Sequence, residues 1–549
     1  MTIARLRGFI QQWRGPGLFF LGALSAASPA LAGEAVGASE PRVTTQAGAI
    51  EGRMLPSGVR AFLGVPYAAP PVRDLRWRAP QPVTAWKGIY HADRFGPQCM
   101  QQQRGILTNQ YSGAEVTSED CLYLNIWAKP GLNKAPVIIF LHGGGFFIGA
   151  GSMALYGGET VATRDIVFVN LNYRVGPLGF FAHPELTSES GHKASGNYGF
   201  LDQIAALRWV QENIAQFGGD PSNVTIAGQS AGSMSVLALQ ASPLAKGLFQ
   251  RAVGMSGALI GSAGPGAMRP LAQAEQDGVR LQVIWKGSNL ADLRAMPADR
   301  LVVPRVPGSP PVGPIEDGYV LPYPIDEAFN RSAQSDVPLV LGFTRDESLG
   351  GLGPVQTLAD YKARAAAVFG DRADAFLKLY PAATDAEAKA QARVADRDGT
   401  MAAAMDAWAR AQVAKGKAPV YSYMFARPHS YPAGVHIPDL DPATAGAYHT
   451  SEVPFWLSTI ESFNRFRPMR DWSQADRAFS SAMTDSLVAF ARSGKPDTQQ
   501  LKWVTFDPAR PRLLELGADA HISAWPDERR LAFFRAAPAQ RPAGGAARD

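Results

Sequence analysis

A serine between two glycines, a triple glycine upstream of it, four later histidines and one pair of adjacent acids carry the chemistry legible in this chain. Gly228-Gln229-Ser230-Ala231-Gly232 matches G-x-S-x-G, a turn in which small residues let a strand reverse sharply into a helix and leave the serine hydroxyl exposed. A serine becomes a nucleophile only beside a base that is itself oriented by an acid, and this turn brings those partners in the chain order Ser, Asp/Glu, His. Of eight histidines, His429, His436, His449 and His521 follow Ser230. His429 and His436 lie in a Pro-rich stretch and His521 behind charged residues, whereas His449 stands after the apolar run Tyr421 to Phe425, on a loop able to reach one end of a sheet. For the acid, Asp346 and Glu347 follow the run ending at Leu341-Gly342, and adjacent residues cannot both face one histidine. Chemistry alone leaves that choice open. His142-Gly143-Gly144-Gly145-Phe146 follows the run Val137 to Leu141, and consecutive glycines there can aim backbone N–H groups at a developing oxyanion, with the N–H of Ala231 completing the set.

The elements that must position these groups read as alternating strands and helices. Val137 to Leu141 and Ile166 to Leu171 are continuous apolar runs too short for ordinary helices, as expected of strands buried on both faces. Leu201, Ile204, Leu207, Val210 and Ile214 recur at helical spacing between Asn197 and Phe217. A strand over 223–227, a helix over 231–240 and strands at 252–255 and 337–341 continue the series. This alternation predicts an α/β class with a mostly parallel central sheet flanked by helices. Residues 357–418 read as helices with apolar faces at Tyr361, Val368, Phe369, Phe376, Leu377 and Tyr380, and the Pro-rich segment 302–314 as a loop.

Composition limits the function class. With 549 residues and 46% apolar content the chain can bury a large core, which excludes a disordered or coiled-coil protein. Arg5, Arg7 and Arg14 precede an apolar run from Leu18 to Leu24, and Ala30-Leu31-Ala32 offers small residues for cleavage, so 1–32 reads as a signal peptide. Its removal takes three positive charges and lowers the net charge from +5 to +2, leaving no basic stripe for nucleic acid. The expected division is a leader (1–32), a linker (33–41), one catalytic domain (42–537) and a disordered tail (538–549). An exported chain meets an oxidising compartment, periplasmic or extracellular, in which Cys99 and Cys121 are expected to pair. Their spacing makes no metal site, and no stable membrane insertion is expected after cleavage.

Taken together these residues resemble the type B carboxylesterase and cholinesterase-like family of α/β-hydrolases. The resemblance rests on Phe62 to Pro66, Glu119-Asp120-Cys121-Leu122-Tyr123-Leu124-Asn125, the glycine loop, Asn172-Tyr173-Arg174, the serine turn and the His449 segment, in the family's order. It implies one large α/β-hydrolase domain with Ser230 as nucleophile, Glu347 as acid and His449 as base. It also implies Gly144, Gly145 and Ala231 as oxyanion donors, a Cys99–Cys121 disulfide, small-molecule ester substrates and no cofactor. Two departures stand out. Gln229 occupies a position where many members carry glutamate, and residues 100–120 hold Tyr111 but no tryptophan, so a choline-type cation lacks both a charge and an indole face. The expected activity is therefore a secreted or periplasmic serine carboxylesterase preferring neutral esters. The rivals are a hydrolase adapted to bulky amide, carbamate or polyester-like substrates, and a non-catalytic binding protein.

Overall fold

The computed structural model describes residues 40–109, 115–260, 268–302 and 308–536. The expected leader, most of the linker, the expected tail, Tyr111 and part of the 302–314 loop lie outside them. The central sheet contains β1 (Arg53–Met54), β2 (Arg60–Pro66), β3 (Tyr123–Ala128), β4 (Ala135–Leu141), β5 (Val167–Leu171) and β6 (Gly219–Gln229). It continues with β7 (Arg251–Met255), β8 (Leu339–Thr344), β9 (Val420–Phe425), β10 (Arg512–Leu516) and β11 (Ala520–Ala524). Their spatial order is β11-β10-β9-β8-β7-β6-β4-β5-β3-β2-β1. Every pairing from β5 through β4 and β6 to β10 is parallel, and the antiparallel pairs lie at the two edges.

Burial on both faces explains the apolar runs. Along β4, Val137, Ile139 and Leu141 enter one core while Ile138 and Phe140 enter the other, the period-two alternation of a strand covered on both sides. The first core is closed by α1 (Tyr198–Asn213), α2 (Ala231–Ala241) and, later in the chain, a helix over Ala403–Lys415 that contributes Met405 and Trp408. The second is closed by Gln474–Ser493 through Met483, Leu487 and Phe490. Ser473 starts that helix with a capping box to Asp476, and Gly494 ends it at φ 76°.

Residues 357–418 are mostly helical, over Leu358–Phe369, Ala373–Leu379, Asp385–Arg397 and Ala403–Lys415. Tyr361, Phe376 and Tyr380 are buried as expected, but Val368 is 44% exposed. Val368 shares the helical stripe of Tyr361 and Ala365, but it stands in the last turn of the helix, where Phe369 packs against that core and Val368 is left uncovered. Among the described residues no helix is long and apolar enough to cross a membrane.

Candidate active site

Strand β6 ends at Gln229 and α2 begins at Ala231, so Ser230 alone makes the turn. Its backbone sits at φ 57°, ψ −122°, a conformation that costs a side-chain-bearing residue strain and persists only where its surroundings enforce it. They do so through the Ser230 N–H, donated to Met255 O at 2.8 Å, and the Met234 N–H, donated to Ser230 O at 2.9 Å. Gly232 must be glycine, since a Cβ there would lie 2.0 Å from Leu141 O, so the helix could not approach β4.

The glycine loop leaves β4 beside this turn. His142 stacks on Tyr173 at 4.2 Å and donates Nδ1–H to Gly143 O at 2.8 Å. Burial lowers its pKa to about 4, so it is a neutral brace. Gly144 and Gly145 both adopt positive φ, 111° and 63°. Among the described residues no hydrogen bond within the chain occupies the N–H groups of Gly144, Gly145 or Ala231, which leaves three donors open next to Ser230. The Cys99–Cys121 disulfide is formed, and Gln101 within its loop accepts from Gly149 N at 2.7 Å and donates to Gly149 O at 2.9 Å. The bridged loop is thereby fastened to the glycine loop.

Glu347 and Asp346 separate in the structure. Glu347 is fully buried after β8, with Oε1 accepting from Thr344 N at 3.2 Å and Oε2 placed 2.7 Å from His449 Nδ1. Asp346 turns instead to the backbone of the histidine loop, accepting from Ala447 N at 2.7 Å and donating its own N–H to Ala447 O at 3.0 Å. Arg345 covers its outer side.

Of the four histidines only His449 pairs with a fully buried carboxylate among the described residues. His429 is buried, donates Nε2–H to Ser451 O at 2.9 Å and accepts on Nδ1 from Arg470 Nε at 3.0 Å. Burial and then the Arg470 charge lower its pKa to about 3. His436 is exposed, and His521 lies on edge strand β11 with its side chain 59% exposed. Burial pushes His449 down, but the charge and hydrogen bond of Glu347, with the charge of Glu452, outweigh it, so its pKa is raised above the ordinary value. Its Nε2 lies 3.2 Å from Gln229 Nε2, which brings the ring to the serine turn. No hydrogen bond joins Ser230 and His449 among the described residues.

Sequence reasoning missed Glu452. This fully buried carboxyl accepts from Ser256 Oγ at 2.6 Å, while its Oε2 has no hydrogen-bond partner among the described residues. Burial, then repulsion from Glu347, raises its pKa to about 7. The available signal was its position three residues beyond His449 at the entry to a short helix, Val453–Trp456.

The arrangement can deprotonate a hydroxyl, attack a carbonyl and hold the resulting oxyanion. The Carboxylesterase family model matches residues 39–534. Among curated proteins, the chain is 38% identical over 472 residues to the fumonisin B1 esterase of Sphingopyxis macrogoltabida, covering 82% of each chain. It is 32% identical over 512 residues to the para-nitrobenzyl esterase of Bacillus subtilis (strain 168), covering 90% of this chain and 98% of that one. A solved PNB esterase structure superposes with a TM-score of 0.73 at 30% identity, over 90% of this chain and all of that one.

Proposed function

The chain belongs to the carboxylesterase family and is a serine carboxylic ester hydrolase, and from that premise we propose that Ser230, His449 and Glu347 carry the reaction. The observation supporting this most directly is the 2.7 Å contact from His449 Nδ1 to the fully buried Glu347, set against a serine strained into a strand-to-helix turn. His449 Nε2 takes the proton of Ser230 Oγ as Oγ bonds to the ester carbonyl carbon. The carbonyl oxygen, now an anion, is received by the N–H groups of Gly144, Gly145 and Ala231. Glu347 stabilises the imidazolium, which then protonates the departing alcohol. Water, deprotonated by the same nitrogen, attacks the acyl-enzyme and releases the acid. A fluorophosphonate should label Ser230 stoichiometrically, and Ser230→Ala should lose both labelling and turnover of a short-chain chromogenic ester while melting normally. A Ser230→Ala protein that keeps near-normal turnover refutes the assignment.

The finer reading is an exported enzyme that prefers neutral esters to choline esters. Gln229 gives no charge beside Ser230, Phe455 is fully buried, and the Tyr431 ring already carries the Arg470 guanidinium at 4.5 Å. Burial closes Phe455 to a quaternary ammonium, and Tyr431 is already engaged by a cation of the chain itself, so neither ring readily replaces the missing tryptophan. Export is supported by the leader-like residues 1–32 and by the disulfide. An N-terminal sequence of protein recovered outside the cytoplasm should begin near Gly33, and an intact Met1 there would refute cleavage.

A further inference from the structure

Only one of the two ring nitrogens of His449 is engaged by Glu347. With the carboxylate 2.7 Å from Nδ1, the ring proton sits there and Nε2 presents a lone pair. That lone pair faces the side-chain amide of Gln229, whose Nε2 lies 3.2 Å away, so with the ring proton on Nδ1 the amide N–H is the donor. Turning the amide oxygen to the ring instead would require a proton on both nitrogens or a bare Nδ1 against a carboxylate. Gln229 is 1% exposed and ends β6 in register with Met255 of β7, so its backbone is fixed. The glycine loop backs it so closely that a Cβ at Gly143 would lie 2.9 Å from Gln229 Oε1.

We propose that Gln229 is a positioning residue that occupies the proton-accepting nitrogen of His449 in the resting enzyme, so that the base exchanges this hydrogen bond for one with Ser230 Oγ before attack. The inference rests on the triad reading above. An amide N–H can donate to Nε2 only while the ring is neutral. Once Nε2 has taken the serine proton two donors face each other, and the amide must turn its oxygen inward or move aside. Gln229 neither gains nor loses a proton; the proton passes from Ser230 Oγ to His449 Nε2 as the Oγ–carbon bond forms. Stabilising the neutral ring makes His449 less basic, opposite in sign to its two charged neighbours. Those are Glu347, from the loop after β8, and Glu452, from the turn following His449. The phenols of Tyr156 and Tyr423, near Glu452, stay neutral because burial raises both above the usual range.

The test is the pH profile of kcat/KM, which reports the free enzyme, for wild type, Gln229→Met and Gln229→Glu on a neutral short-chain ester. Methionine fills similar space without a donor, so the acid limb should move up by about half to one pH unit, the loss of one ordinary hydrogen bond to the neutral ring. Glutamate should move it further, since its charge favours the imidazolium. Gln229→Leu, equally without a donor, gives the same test if methionine impairs folding. A limb that stays in place in both donor-free variants while moving with glutamate overturns the proposal, because charge alone would then be acting. Fluorophosphonate labelling of Ser230 separates the two readings: an unshifted Gln229→Met enzyme that still labels loses the Gln229 role and keeps the triad.

Discussion

Glu347→Gln and Asp346→Asn, neighbouring substitutions of the same chemical kind, should differ in effect by at least two orders of magnitude. Glu347 Oε2 lies 2.7 Å from His449 Nδ1 and the carboxylate is fully buried. Taking about 4 Å between charge centres and an effective dielectric constant near 20, the imidazolium gains about 4 kcal/mol from this charge. At about 1.36 kcal/mol per decade, removing it should lower kcat/KM by about 10³-fold. Glutamine can also present its amide N–H to Nδ1, favouring the unproductive tautomer and deepening the loss. Asp346 instead holds Ala447 N at 2.7 Å, a bond that the carbonyl oxygen of asparagine can also accept. Only the charge assistance is lost, about 1 kcal/mol and less than tenfold in rate. Its pairing with Arg345, whose side chain is 41% exposed, adds little. Both variants should be assayed on a short-chain chromogenic ester, with active sites counted by fluorophosphonate titration so that misfolded protein does not enter the rate. An Asp346→Asn enzyme as impaired as Glu347→Gln, or a Glu347→Gln enzyme within tenfold of wild type, would refute the division of roles.

Other expectations follow from the same site. On the proposed triad His449 is a neutral base, so kcat/KM should fall as pH drops through its raised pKa; Glu452, its own pKa pushed up to about 7, raises that of His449 while ionised, so Glu452→Gln should move the acid limb down, and an upward move would contradict the electrostatics. Titration of denatured, unreduced protein should find no free thiol, and replacing both Cys99 and Cys121 by serine should cost about 3 kcal/mol in denaturant unfolding, set by the 22-residue separation they close. Butyrylcholine should be turned over less efficiently than its uncharged dimethylbutyl isostere, with little dependence on salt; a choline preference that fades as salt rises would reveal an electrostatic cation site.

What the sequence made legible, and what it did not, follows from where each determinant lies along the chain. The serine turn was readable because its requirements are local: small residues around Ser230, a strand before it and a helix after it. The two-faced strands were readable for the same reason, since β4 carries the signature of both cores within seven residues. The acid was not decided by local chemistry, because Asp346 and Glu347 differ only in what a segment about a hundred residues away offers them: the backbone of Ala447 to one, the ring of His449 to the other. Family resemblance supplied that choice. His449 likewise differs from His429 by its surroundings: burial lowers the pKa of both rings, the Arg470 charge adds to the lowering at His429, and Glu347 reverses it at His449. Val368 shows a milder form of the limit: it shares the helical stripe of Tyr361 and Ala365, yet in the last turn Phe369 packs against that core and Val368 is uncovered, because periodicity does not say where the covering partners end. The contact of Gln229 with His449 had no sequence signal at all, since a glutamine beside the nucleophile reads only as the absence of a charge. Folding places that uncharged amide 3.2 Å from His449 Nε2, so the one residue underlies both the proposed preference for neutral esters and the proposed tuning of the ring.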